Sequence, residues 1–304
     1  CVRIGHPNLA ADIMFAMPAR FNVVPDIVCV NAVLGGFARE GWHQKCLDLL
    51  EEVKTKFGLL PNVSSANTLM HALVASGNVE AAHAFLQDMT TKHELQPDVL
   101  SYSTVLNGLA DGAFVAATQA VFDDMLERGM VDVVAVNILV KGLVNGGEIA
   151  RAEGVLRGMR QRYGIAPNVS TYNTVIGGLV AGGVDVSQIE GLFTEMQAPP
   201  DRLQPDSITI ASYMTSLAQC SPGEKVEAVL HSMQERYGVA PTPLCVGVVL
   251  DAYVRSDRLS DGITMVERAV RELGVTAPAD KVLNLMKACI GAGNLELERR
   301  AAAL

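Results

Sequence analysis

Residues 168–183 read Asn-Val-Ser-Thr-Tyr-Asn-Thr-Val-Ile-Gly-Gly-Leu-Val-Ala-Gly-Gly, and most of the chain is a set of variations on them. Residues 62–77 read Asn-Val-Ser-Ser-Ala-Asn-Thr-Leu-Met-His-Ala-Leu-Val-Ala-Ser-Gly, and further copies begin at Asp26, Asp98 and Asp132. A period of roughly 36 residues limits the architecture severely: one such unit cannot bury its own apolar face, so neighbours must stack along an axis. The units run 27–62, 63–98, 99–132, 133–168 and 169–206, followed by three degenerate units, 207–242, 243–278 and 279–304. Residues 1–26 read as the C-terminal half of a preceding unit, with Leu9, Ala10, Ala11, Ile13, Met14 and Met17 as its apolar face.

The joints carry helix punctuation. Leu60-Pro61-Asn62, Gln96-Pro97-Asp98, Ala166-Pro167-Asn168 and Gln204-Pro205-Asp206 are four of them; Met130-Val131-Asp132 lacks the proline and Ala240-Pro241-Thr242 ends in a hydroxyl. Proline has no backbone donor and biases its predecessor away from helix. The Asn or Asp after it is a favoured N-cap. Beyond the cap, apolar residues recur at places one, four, seven, eight and eleven, such as Val99, Tyr102, Val105, Leu106 and Leu109, or Val133, Val136, Leu139, Val140 and Leu143. That spacing makes one face of an α-helix. A glycine near place fifteen (Gly41, Gly77, Gly147, Gly183, Gly293) ends it. A second amphipathic helix follows, with anchors such as Val79, Ala82, Phe85, Leu86 and Met89. Gly35-Gly36 and Gly177-Gly178, inside first helices, are expected to allow close helix contact. The predicted fold is all-α, a right-handed α-solenoid of about eight helix pairs.

A joint of Pro-Asp or Pro-Asn, then Val-x-x-Tyr-Asn-Thr-Val-Ile-x-Gly-Leu, then Gly, then Phe-x-x-Met, resembles the pentatricopeptide repeat family, in a P-type-like array. Trp42 is the only tryptophan, which argues against tetratricopeptide units. The resemblance covers residues 27–206 and weakens over 207–304. It is specific because the motif recurs in register.

The first helix has a second stripe, at places two, five, nine and thirteen. Place five holds Asn31, Asn67, Ser103, Asn137 and Asn173; place two holds Val28, Ser64, Leu100, Val134 and Ser170. An amide beside an apolar side chain, once per unit, suits a row of bases: the amide meets a Watson–Crick edge and its neighbours wedge between bases. The resemblance implies that the fifth and last residues of a unit jointly choose the base. The pairs are Asn31 with Asn62, Asn67 with Asp98, Ser103 with Asp132, Asn137 with Asn168, and Asn173 with Asp206. The family's preferences imply pyrimidine, U, G, pyrimidine, U. Ala211 with Thr242, Gly247 with Pro278, and Leu283 give no reading.

The same residues have a plainer use, since Asn or Asp at a unit's end is already explained as an N-cap. Place thirteen, where the family often carries a lysine near phosphate, holds Arg39, Ala75, Asp111, Asn145, Ala181, Gln219, Arg255 and Gly291. With 24 basic against 33 acidic residues and a net charge of −9, the composition is not that of a strong polyanion binder. Arg39 is the expected phosphate contact. The six cysteines include no Cys-x-x-Cys pair and fit a reducing compartment. No catalytic motif, Walker loop or run of 18 apolar residues is present, so no enzyme activity, metal, cofactor, small-molecule substrate or membrane span is expected.

The resemblance therefore implies a single-stranded RNA-binding protein of a mitochondrion or chloroplast, acting in RNA processing, stability or translation with one base per repeat. The alternative is a protein-binding scaffold within a large organellar assembly such as a ribosome.

Overall fold

The computed structural model describes residues 6–183, 186–292, 296 and 299–300. Gly293 and Cys1 lie outside the described residues. Among those residues every regular element is helical. The chain divides into two compact units, Cys1–Glu148 and Ile149–Leu304.

The first unit holds α1 (Pro7–Phe21), α2 (Ile27–Arg39), α3 (His43–Phe57), α4 (Val63–Ala75), α5 (Val79–Lys92), α6 (Val99–Asp111), α7 (Val115–Glu127) and α8 (Val133–Asn145). Its even-numbered helices stack in a row, α2 on α4, α4 on α6 and α6 on α8. Each odd-numbered helix from α3 to α7 packs against the even-numbered helices before and after it, and α1 packs on α2. The second unit holds α9 (Ile149–Tyr163), α10 (Val169–Ala181), α11 (Val186–Gln197), α12 (Ser207–Cys220), α13 (Gly223–Tyr237), α14 (Pro243–Arg255), α15 (Leu259–Arg271) and α16 (Ala279–Gly291). There α10, α12, α14 and α16 form the row, with α11, α13 and α15 packed between successive members and α9 packed on α10.

The joint chemistry is as expected. Asn62 accepts from the Ser65 N–H at 3.0 Å, Asp98 from Ser101 at 2.8 Å, Asp132 from Ala135 at 2.8 Å and Asp206 from Thr209 at 2.8 Å. Each satisfies one of the orphan donors at a helix start, about 1 kcal/mol of stability apiece. At the far end of α4, Gly77 has φ +82°, and the Asn78 N–H donates to the Leu73 carbonyl at 2.8 Å. A side chain at that φ would be strained, so a glycine closes the helix. Gly41, Gly147 and Gly183 take the same left-handed conformation.

The first helices supply most of the core, and the second helices add residues such as Leu86, Met89, Phe122 and Met125. In α4 it comprises Ala66, Leu69, Met70 and Leu73, and in α6 Tyr102, Val105, Leu106 and Leu109. A leucine buried this completely contributes about 1.5–3 kcal/mol. The structure corrects the expected face in several places. Val99 is exposed and Val133 is only half-buried, each being the first residue of its helix, ahead of the turns that pack on the neighbouring helices. Phe85 is half-buried, and Leu9 and Ile13 are exposed, so α1 packs through Pro7, Ala11 and Met14 instead. Close helix contact falls at place ten rather than nine. A Cβ on Gly108 would lie 2.8 Å from Val74 Cγ1, and one on Gly142 would lie 3.2 Å from Ala110 Cβ. Gly36 and Gly178 are buried, whereas Gly35 and Gly177 face open space.

Candidate nucleic-acid interface

The first-helix row leaves place two uncovered. Val28, Leu100 and Val134 are 68%, 60% and 54% exposed, and Ser64 and Ser170 are exposed as well. The stripe continues past the point where the sequence reading stopped: Ile208 and Leu244, at the same place in later repeats, are also exposed. Their exposure recurs at one place of the repeat, unlike apolar side chains scattered singly over a surface.

Place five lies one turn further along and deeper. Asn31, Ser103, Asn137 and Asn173 are half-buried, and Asn67 is buried at 7% exposure. At Asn67 the stripe runs into the packing between helices. The reason is that the amide is bonded to the next repeat. Asn67 Nδ2 donates to Asp98 Oδ1 at 3.0 Å, while the Ser101 hydroxyl donates to Asn67 Oδ1 at 2.6 Å. In the second unit, Asn173 Nδ2 donates to both Asp206 oxygens at 3.1 and 3.2 Å, and the Thr209 hydroxyl donates to Asn173 Oδ1 at 2.7 Å. Asn31 Nδ2 reaches Asn62 Oδ1 at 3.3 Å, with Ser65 donating to Asn31 Oδ1 at 2.6 Å. Three of the five expected pairs are thus joined directly. Ser103 is half-buried, while Asp132 is exposed and caps α8. Asn137 and Asn168 fall on either side of the division between the two units.

The hydroxyls of Ser65, Ser101 and Thr209 were not among the expected site residues. Their capping-box role could be read from the sequence, but their reach back to the preceding repeat could not.

The carboxylates feel these bonds. Partial burial would raise the Asp98 and Asp206 pKa values. The N–H of Ser101 or Thr209, the side-chain hydroxyl and the facing asparagine amide outweigh it and hold both below the usual value. They are ionised acceptors at neutral pH.

Two depressions form around these pairs. One of about 430 Å³ in the first unit is lined by Arg39, Ser64, Asn67, Asp98 and Leu100, among others. One of about 520 Å³ in the second unit is lined by Val169, Ser170, Asn173, Thr174, Asp206 and Ile208. Ser64, Asn67, Asp98 and Leu100 hold the same repeat places as Ser170, Asn173, Asp206 and Ile208. The same pocket is therefore built twice, in separate units, from place two, place five, the last residue and the next place two. Arg39 is exposed at the end of α2. Three further first-helix cations have partners within the chain: Lys141 with Asp111, Lys281 with Asp251 at 2.5 Å, and Arg255 with the Ala218 carbonyl. Among the described residues no three His, Cys, Asp or Glu side chains gather as a metal site, and no helix is long and apolar enough to cross a membrane.

A sequence profile described as "PPR repeat family" matches residues 61–111 and 131–181, and one described as "PPR repeat" matches 28–56, each in register with the joints above. The chain belongs to the pentatricopeptide repeat family. Two relatives from Arabidopsis thaliana are similar. A putative pentatricopeptide repeat-containing protein is 23% identical over 145 residues, 47% of this chain and 22% of its own length. A chloroplastic pentatricopeptide repeat-containing protein is 29% identical over 135 residues, 44% of this chain and 17% of its own. The crystal structure of the pentatricopeptide repeat protein PPR10 in complex with an 18-nt psaJ RNA element superposes with a TM-score of 0.75 at 20% identity, over 98% of this chain and 42% of that one. A crystal structure of the pentatricopeptide repeat protein PPR10 from maize superposes with a TM-score of 0.61 at 17% identity, over 97% of this chain and 45% of that one. These likenesses establish the fold, an all-α helical-repeat solenoid. The chain spans about a fifth of the length of the curated pentatricopeptide relatives it matches.

Proposed function

We propose that this pentatricopeptide repeat chain binds single-stranded RNA along its first helices, one base per repeat, and acts in organellar RNA processing, stability or translation. The observation that carries the reading is the duplicated depression. In each copy exposed apolar or small side chains at successive places two flank an amide paired with a carboxylate. A base needs a dry slot for its faces and a directional polar group for its edge, and these are the two components present. The likeness of the fold to PPR10, solved in complex with RNA, supports the same reading, and a relative described as chloroplastic supports an organelle.

The base-reading residues proposed are Asn31 with Asn62, Asn67 with Asp98, Ser103 with Asp132, Asn137 with Asn168, and Asn173 with Asp206. Val28, Ser64, Leu100, Val134 and Ser170 are the flanking residues, and Arg39 meets phosphate. An oligonucleotide carrying pyrimidine-U-G-pyrimidine-U is expected to bind better than a scrambled one at low salt. Few phosphates are met by cations, so the affinity should fall with a shallow salt slope, roughly 0.7 per contact. Leu69→Asp, which places a charge in the core beside Asn67, should abolish binding by unfolding α4; Asn67→Thr should leave the fold intact and move the second base from U towards G. Binding of neither oligonucleotide at about 50 mM salt would overturn the reading.

One observation favours a second reading, a protein-binding scaffold in an organellar assembly. Lys141, Lys281 and Arg255 already have internal partners, and the chain carries a net charge of −9. Retention of a protein partner by a chain that ignores RNA would favour it.

A further inference from the structure

The amide of Asn67 has two chemically different ends, and the structure determines which one a ligand can meet. The Asp98 carboxylate can only accept, so the atom facing it at 3.0 Å is the nitrogen. The oxygen is then turned to the Ser101 hydroxyl, which is fully buried and donates at 2.6 Å. Asn173 repeats the arrangement in the other unit, with Asp206 on its nitrogen and the buried Thr209 hydroxyl on its oxygen. At Asn31 the cap oxygen of Asn62 takes the nitrogen and Ser65 the oxygen. At Asn67 and Asn173, which line the two depressions, one amide N–H is left for the open side, and in all three joints the amide oxygen is drawn inward.

The hydroxyl follows the amide through the sequence. Asn31, Asn67, Asn137 and Asn173 at place five are followed, at place three of the next repeat, by Ser65, Ser101, Thr171 and Thr209. Where place five is Ser103, Ala211 or Gly247, the next place three is Ala135, Cys245 or Lys281. A serine hydroxyl at place five can rotate to donate or accept and needs no outside group to orient it. Alanine and glycine have nothing to orient. Only an amide, with a donor and an acceptor that must both be aimed, benefits from a fixed hydroxyl beside the cap oxygen.

We infer that Ser65, Ser101 and Thr209 are positioning residues that set base preference without touching the base. The inference rests on the RNA reading above. The hydroxyl holds the amide with its N–H outward, so the repeat favours a base that presents a carbonyl oxygen, such as uracil at O4, over one that presents an amino group there, such as cytosine at N4. Without the hydroxyl, the carboxylate alone still keeps the nitrogen on its side, but the amide oxygen loses its buried partner and the group rocks about its single remaining bond, so its outward N–H is no longer aimed at a carbonyl oxygen.

The test compares the parent chain with Ser101→Ala and Ser101→Thr. Two oligonucleotides are used, identical except for U or C opposite the repeat 63–98. Alanine is tolerated at this place, since Ala135 occupies it in the next repeat beneath an intact cap. The parent and Ser101→Thr should prefer U; Ser101→Ala should lose about tenfold of that preference, the scale of one net hydrogen bond, while keeping its affinity for the C oligonucleotide. Nitrogen-15 spectra of the RNA-free chain should show the Asn67 side-chain amide shifted and slowly exchanging in the parent and Ser101→Thr, and averaged in Ser101→Ala. A parent that discriminates, with Ser101→Ala discriminating equally, overturns the inference and leaves the RNA reading standing. A parent that binds neither oligonucleotide overturns the RNA reading and this inference with it. Equal weakening towards both bases would make Ser101 a purely structural residue and also overturn it.

Discussion

The contacts at Asp98 predict a stability difference between two aspartates that each accept the same first-turn N–H. Asp98 and Asp132 each accept a backbone N–H at 2.8 Å, at the starts of α6 and α8. Removing either cap with alanine should cost about 1 kcal/mol. Asp98 also receives the Asn67 amide at 3.0 Å, and that donor lies in a buried residue. A buried donor left without a partner costs about 1–3 kcal/mol. The Asn67 amide borders an open depression, where water can replace part of the lost bond, so the lower end of that range applies. Asp98→Ala should therefore cost about 2–3 kcal/mol, against about 1 for Asp132→Ala. Asp98→Asn should cost little, because Asn62 caps α4 in the same way. Urea denaturation followed by far-UV circular dichroism measures the global effect. Hydrogen exchange at the first-turn amides of α6 and α8 locates it. Equal losses for Asp98→Ala and Asp132→Ala would show that the bond from Asn67 adds nothing to the joint, and would refute the reasoning.

Gly35→Ala should stabilise the chain by up to about 1 kcal/mol, since its Cβ meets nothing within 4 Å and alanine is the better helix former. Gly108→Ala should destabilise by about 1–3 kcal/mol, because its Cβ would meet Val74 at 2.8 Å; thermal melts of the two variants should move in opposite directions. The carboxyls of Asp98 and Asp206 have folded pKa values below their ordinary 3.8, so their stabilisation is present above that value and lost as pH falls through the lower folded ones. Acid titration of the Asp98→Asn, Asp206→Asn double variant should show a shallower fall in stability below about pH 4 than the parent. Burial pushes the Cys46 thiol up to about 11, whereas Cys220 is exposed, so iodoacetamide should label Cys220 in the native chain and Cys46 only after unfolding, as peptide mass spectrometry can show.

Helix starts were legible because they rest on local chemistry. The Pro-Asp and Pro-Asn joints constrain two or three adjacent residues, and the caps at Asn62, Asp98 and Asp206 form where that chemistry puts them. The glycine stops at Gly77 and Gly147 were legible for the same reason. What periodicity could not resolve was the edge of the apolar stripe. Val99 fits the helical spacing as well as Tyr102 does, yet only Tyr102 meets a neighbouring helix. Gly35 and Gly36 look equivalent in sequence, and a rotation of 100° about the helix axis separates open space from burial. At the candidate site, place five was recognisable as a recurring amide, and its pairing with the last residue came through the family resemblance. The bond from Ser101 back to Asn67 spans 34 residues, and no local rule reaches that far.

The bond from place five to the next helix start has a bearing on engineering these arrays. A graft cut at the caps would carry Asn67 away from Asp98 or leave Ser101 behind with a foreign neighbour. The transferable cassette is offset from the helix pair: it begins after place three of one repeat and ends after place three of the next, so that amide, cap and hydroxyl travel together. A chimera spliced at residue 65 and residue 101 should keep both its melting behaviour and its ligand preference, while one spliced at residues 62 and 98 should keep neither in full.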